Sequence, residues 1–124
     1  MAYQAFDLAG KNVLITGGNS GIGLGMAEAL AQAGAALCIW GTNAEKNTAA
    51  LAKIKGHGGK ALALHCDVGD EKEVEQRFAE TVAALGPIHG CFANAGVSGR
   101  SNVKSFADMS TEEWHRVTRV NLDG

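Results

Sequence analysis

The stretch Thr16-Gly17-Gly18-Asn19-Ser20-Gly21-Ile22-Gly23 constrains this chain more than any other part of it. It follows a short apolar run, Asn12-Val13-Leu14-Ile15, and opens a helical pattern, Leu24-Gly25-Met26-Ala27-Glu28-Ala29-Leu30. Glycine lets a backbone turn tightly and lets a ligand approach the main chain. A helix start offers unpaired N–H groups and the positive end of the helix dipole. Strand, glycine turn and helix in this order make a cradle for a dinucleotide pyrophosphate.

The rest of the chain repeats the alternation. After the first strand, Asn12–Ile15, a helix is expected from Ile22 to Ala33, with Ile22, Met26, Ala29, Leu30 and Ala33 as its apolar face. Gly34 ends it. Ala36–Trp40 is a continuous apolar run, as expected of a strand covered on both sides. Thr42 or Asn43 caps a second helix, Ala44 to Lys55, which Gly56 stops. Lys60–Cys66 reads as a third strand. Asp70 and Glu73 form a capping box for a third helix, ended by Gly86-Pro87 after Leu85. Ile88–Ala93 is the fourth strand, followed by a polar loop from Asn94 to Ser105. Ser110 with Glu113 caps a fourth helix through Trp114, Val117 and Val120. Trp114 and Val117 read as helix-packing residues. The order βαβαβαβα implies an α/β fold, a parallel sheet with helices on both faces and right-handed crossovers.

Composition removes several classes of function. A formal charge of −2 gives no electrostatic case for nucleic acid or an anionic membrane surface. The first residues, Met1-Ala2-Tyr3-Gln4-Ala5-Phe6-Asp7, have neither the basic start nor the apolar run of a signal peptide or membrane span. Cys38, Cys66 and Cys91 have no metal-ligand spacing and fall in or beside apolar runs, so they read as buried thiols of a reducing, cytoplasmic compartment. His57, His65, His89 and His115 likewise show no ligand spacing and read as structural or surface residues. With 17 glycines and one proline, the chain is rich in tight turns.

The spacing Thr16, Gly17, Gly21, Gly23, together with Asp67-Val68 after the third strand, Asn94-Ala95-Gly96 at the end of the fourth and Asn121 within Val120-Asn121-Leu122, resembles the short-chain dehydrogenase/reductase family. The match is to its simple single-domain branch and covers essentially the whole chain. The resemblance implies the N-terminal portion of a Rossmann-type doubly wound sheet, strand order 3-2-1-4, over residues 1–124. It implies a nicotinamide dinucleotide as cofactor and hydride transfer to or from a secondary alcohol or ketone. Carried over position by position, Gly17, Ser20, Gly21, Ile22 and Gly23 wrap the pyrophosphate and adjoining ribose. Asp67 bonds the adenine amino group, with the Val68 backbone beside it. Asn94, Ala95 and Gly96 lie along the adenine ribose, and the backbone carbonyl of Asn121 holds a water in a proton relay.

The choice of dinucleotide turns on the end of the second strand. A carboxylate there bonds the ribose 2′-hydroxyl of NAD, and a nearby arginine accommodates the 2′-phosphate of NADP. This chain has Trp40-Gly41-Thr42-Asn43, with no acid and with Thr42 in place of the arginine. Thr42 and Asn43 can bond either ribose, and Ser20 is neutral, so the missing carboxylate gives only a lean to NADP.

The family's serine and its Tyr-x-x-x-Lys are not among these residues; Tyr3 is followed four positions on by Asp7. The expectation is therefore a cofactor-binding domain truncated before its catalytic Ser, Tyr and Lys. The exposed edge of the fourth strand and the stripe of the fourth helix would be covered by a missing C-terminal half or by another copy in a homo-oligomer. Taken alone, the chain is expected to bind dinucleotide weakly or not at all and to lack dehydrogenase activity. The competing reading is a non-catalytic dinucleotide-binding or dimerisation module. The loop Val97-Ser98-Gly99-Arg100-Ser101 is expected to border the site without revealing the substrate.

Overall fold

A computed structural model describes residues 4–99 and 104–124. Arg100 and Ser101 of the loop above, and Tyr3, lie outside the described residues. After a 3-10 turn at Gln4–Phe6 the elements alternate: β1 (Asn12–Thr16), α1 (Gly21–Gln32), β2 (Ala36–Gly41), α2 (Ala44–Lys55), β3 (Ala61–His65), α3 (Glu71–Leu85), β4 (Gly90–Phe92) and α4 (Thr111–Asn121). The sheet is parallel with order β3-β2-β1-β4, the order expected. In register, Leu14 lies between Cys38 and Cys91, and Ile15 between Ile39 and Phe92.

Each face of the sheet carries its own core. Val13, Ile15, Leu37 and Ile39 pack with Ala27, Ala31, Ala50 and Ile54 of α1 and α2. On the other face Leu14, Cys38 and Trp40 pack with Cys66 and Val68, and with the partly buried Val74, Leu85 and Val120. Trp40 and Cys38 bring polar atoms into this second core. The Trp40 indole donates to the Thr81 hydroxyl at 3.2 Å, and that hydroxyl donates to the Arg77 carbonyl at 2.7 Å. Buried polar groups are tolerable when paired in this way.

Helix α1 buries its small residues deepest, with Met26 and Leu30 of the expected face partly buried beside them. Gly23, Ala27 and Ala31 are its buried positions, whereas Ile22 is 76% exposed and Ala29 is exposed as well. The reason is approach distance. A Cβ on Gly23 would run into the Gly17 carbonyl, so only a stripe of small residues lets the helix start sit on the turn.

Other boundaries also shift. β4 covers only Gly90–Phe92, because its entry is tied differently. Asn12 N donates to His89 Nδ1 at 2.9 Å, and His89 N donates to the Asn12 carbonyl at 2.8 Å. α4 ends at Asn121, with Leu122 as its C-cap. Asn43, Asp70 and Ser110 do cap α2, α3 and α4. The return legs of the two capping boxes are used elsewhere, because Glu73 bonds His65 at 2.8 Å and Glu113 forks onto Arg116. Cys38 and Cys66 are buried, but Cys91 is exposed, since β4 has β1 as its neighbour on one side only. Trp114 is 53% exposed on the outer side of α4, beside Phe106 and Met109, rather than packed within the helix layer.

Candidate dinucleotide site

The carboxyl ends of β1, β2 and β4 open into one cleft of about 620 Å³. Its position is where a doubly wound sheet binds ligands, beside the strands whose order reverses. The glycine turn forms one wall. Gly17 and Gly21 have φ of 65° and 53°, the left-handed region that glycine enters without strain. A Cβ on Gly21 would meet nothing within 4 Å, so open space lies above this turn. Ser20 precedes α1 in extended conformation, and its side chain makes no capping bond. The first-turn N–H groups of α1, which have no intrahelical acceptor, are thus left for a ligand.

The turn is held from behind by β4. The Asn94 amide donates to the carbonyls of Thr16 at 3.1 Å and Gly17 at 3.3 Å. The Thr16 hydroxyl accepts from Asn94 N and Ala95 N, both at 3.0 Å. The Asn94 side chain is therefore occupied with shaping the glycine turn. Three residues beyond Asn94, Asn121 clasps Val97 with both amide atoms: Val97 N donates to Oδ1 at 2.7 Å, and Nδ2 donates to the Val97 carbonyl at 2.8 Å.

Of the residues singled out in the sequence, Gly17, Ser20, Ile22, Gly23, Thr42, Asn43, Asp67, Val68, Asn94, Ala95 and Gly96 line this cleft. Gly21 shapes the turn, and Asn121 stands behind the wall. Asp67 accepts from Gly69 N at 2.9 Å and from Arg119 at 3.2 Å, so its carboxylate is oriented by two donors. A carboxylate has room for further donors beyond these.

Motif spacing alone does not reveal the cations. Lys46, Arg116 and Arg119 line the same cleft, with Asp67 the one acid in its wall among the described residues. Lys46 comes from the opening turn of α2, one turn beyond Asn43. Arg116 and Arg119, three apart, share one face of α4. The hydrogen bond to Glu113 holds the Arg116 guanidinium more firmly charged than usual. Glu113 and Asp67 offset the charges of Arg116 and Arg119, so Lys46 is the cation of this wall that carries no carboxylate partner among the described residues. Cys66 also touches the cleft, but burial pushes its thiol up to about 11, so it is protonated and non-nucleophilic at neutral pH. Among the described residues no cluster of His, Cys, Asp and Glu could hold a metal ion, and no helix is long and apolar enough to cross a membrane.

Comparison with known proteins matches this geometry. Residues 11–124 match the family model for short chain dehydrogenases. The chain is 35% identical over 118 residues to the 2,5-dichloro-2,5-cyclohexadiene-1,4-diol dehydrogenase of Sphingobium indicum, covering 95% of this chain and 45% of that protein. It is 37% identical over 117 residues to the NADP-dependent (R)-specific alcohol dehydrogenase of Lentilactobacillus kefiri, covering 94% and 45%. A short-chain type dehydrogenase/reductase from Mycobacterium marinum superposes with a TM-score of 0.88 at 36% identity, covering 95% of this chain and 47% of that one. An NAD+-bound xylitol dehydrogenase superposes at 0.87 with 31% identity, covering 93% and 44%. The chain thus spans a little under half the length of these relatives. Glycine turn, strand order and matched residues lead to one assignment: the chain belongs to the short-chain dehydrogenase/reductase family.

Proposed function

We propose that this chain is the dinucleotide-binding half of an NAD(P)-dependent oxidoreductase acting on a secondary alcohol or ketone. The observation that carries the reading is the uncapped start of α1 above the Gly17–Gly23 turn, open to a cleft walled by Lys46, Arg116 and Arg119. Those features fit a pyrophosphate: donors without partners, no side chain in the way, and cations nearby.

Gly17, Ser20, Gly21, Ile22 and Gly23 hold the pyrophosphate in this reading. Asp67, with Val68, takes the adenine end. Thr42 and Asn43 face the adenine ribose, while Asn94, Ala95 and Gly96 form the floor. The nicotinamide, when bound, supplies the hydride chemistry. Asn121 fixes the loop at Val97 and lends its backbone carbonyl to a proton relay. The missing acid at Gly41, with Lys46 close by, supports a lean to NADP. The catalytic Ser, Tyr and Lys would come from residues beyond these 124 or from another chain, and the 124 residues alone are proposed not to turn over substrate. Exposed Phe92, Phe106 and Trp114 support association with such a segment or with a second copy. If no catalytic partner exists, the same exposed surface favours the second reading, a dinucleotide-binding or dimerisation module. The three free thiols fit a reducing cytoplasm.

The test is titration with NADH and NADPH, followed by fluorescence, on the unsubstituted protein, Gly21→Asp and Gly21→Ala. A carboxylate at position 21 would stand against the pyrophosphate, and affinity should fall by more than about thirtyfold. Gly21→Ala carries the same backbone strain without the charge and should lose much less. Equal affinities for all three proteins would remove the glycine-turn assignment.

A further inference from the structure

Gly41 closes β2 at the position whose side chain reads the adenosine ribose in dinucleotide-binding sheets. It is not merely a residue without an acid. A Cβ placed there would run into the Asn19 carboxamide and come within 2.6 Å of Asn47 Oδ1. The space where a ribose-reading side chain would begin is filled by a bridge of two asparagines. Asn19 Nδ2 lies 2.9 Å from Asn47 Oδ1, and Asn47 Nδ2 lies 2.9 Å from the Gly41 carbonyl.

Chemistry fixes the polarity of this bridge. A backbone carbonyl only accepts, so Asn47 must present its NH₂ to Gly41. That turns Asn47 Oδ1 toward Asn19, and an amide oxygen also only accepts. Asn19 must then present its own NH₂ to Asn47, which turns Asn19 Oδ1 the other way. The amide orientations follow from the one group in the chain that cannot be reversed. Asn47 is 7% exposed, so water competes little for its bonds, whereas Asn19 lines the cleft.

We propose that Asn47 is a positioning residue that locks the Asn19 carbonyl oxygen toward the adenosine ribose, giving this chain a neutral acceptor in place of the absent carboxylate. The proposal rests on the dinucleotide reading of the cleft. A ribose 2′-hydroxyl can donate to that oxygen. A 2′-phosphate, which offers oxygens only, cannot, and it meets an acceptor instead of a donor. The bridge therefore favours NAD against the pull of Lys46, and its removal should move the protein toward NADP whatever its starting balance.

The test compares NADH and NADPH affinity in the unsubstituted protein, Asn47→Leu and Asn19→Ala, with circular dichroism to establish that each is folded. Asn47→Leu frees the Asn19 amide to rotate and offer its NH₂ to a phosphate. The ratio of NADPH to NADH affinity should rise by about three- to tenfold, the worth of one hydrogen bond gained or lost. Asn19→Ala removes the acceptor itself and should move the ratio the same way, mainly by weakening NADH. It is the partly exposed member of the pair, so it carries the test alone if Asn47→Leu does not fold. A merely structural bridge would lower both affinities together. An unmoved ratio in a folded variant that binds, or a shift toward NADH, overturns the role of the bridge and leaves the dinucleotide site standing. An unsubstituted protein that binds neither dinucleotide with its catalytic half present overturns both.

Discussion

Thr16 shows how much of the site depends on one hydroxyl. It is 8% exposed, and its Oγ1 accepts two backbone N–H groups, those of Asn94 and Ala95. Thr16→Val keeps the shape and removes the acceptor. Asn94 N keeps the Phe92 carbonyl at 2.9 Å, so the Ala95 amide is the one stranded, and a loss of about 1–3 kcal/mol is expected in urea unfolding. A loss below about 0.5 kcal/mol would mean that this amide finds another acceptor and that Thr16 does not organise the turn. The sequence marks Thr16 as part of the glycine motif but cannot show this use, because its partners lie 78 and 79 residues away. Asn94 makes the same point. The family resemblance places it beside the ribose; in the fold its amide is spent on the carbonyls of Thr16 and Gly17. Lys46, Arg116 and Arg119 escape sequence reading for a related reason, since a solvated helix cation and a cleft cation look alike until the elements are placed.

At the scale of elements, the helix starts divide by what their caps do. Asp70 accepts from Glu73 N at 3.1 Å and Ser110 from Glu113 N at 3.1 Å, while Ser20 makes no such bond at the start of α1. Asp70→Ala should therefore cost about 0.5–2 kcal/mol, and Ser20→Ala only a few tenths, in thermal unfolding of the two variants side by side. Equal costs would show that Ser20 caps α1 after all and that its first turn is not left open for a ligand. The caps and the alternation of strands and helices were readable because they rest on local chemistry and on the rule that strands separated by helices pair in parallel, whereas the order 3-2-1-4 follows only from the family resemblance. The buried face of α1 was readable in part. Periodicity picks out Met26 and Leu30, which pack against the core, but also Ile22, which is exposed, and the closeness of the helix to the glycine turn puts Gly23, Ala27 and Ala31 deepest. The length of β4 was also hidden, since strand pairing there depends on how His89 and Asn12 meet.

The molecule as a whole is uneven, and the unevenness has a direction. β1 and β2 each have neighbours on both sides, and Ile15, Leu37, Cys38 and Ile39 are fully buried. The α1–α2 side of the sheet is closed over these strands. The opposite side thins toward α4, where Glu113 is the buried residue and Phe106, Trp114 and Leu122 are 81%, 53% and 77% exposed. Opening free energy follows buried contact and strand pairing, so amide exchange should be slowest in β1 and β2 and fastest in β4 and α4. The gap should exceed about a hundredfold in rate, since local opening spans from near zero to the global stability. Exchange measured at low micromolar protein checks this directly, and α4 amides as slow as those of β2 would contradict it. Repeating the measurement at a hundredfold higher concentration, about the range where weak apolar contacts form, adds the decisive comparison. If α4 and β4 slow down while β1 and β2 do not change, their exposed apolar residues are being covered by a second copy. If every rate stays fixed, self-association does not supply the cover, and the surface around Phe106 and Trp114 is left for a segment or partner of another kind.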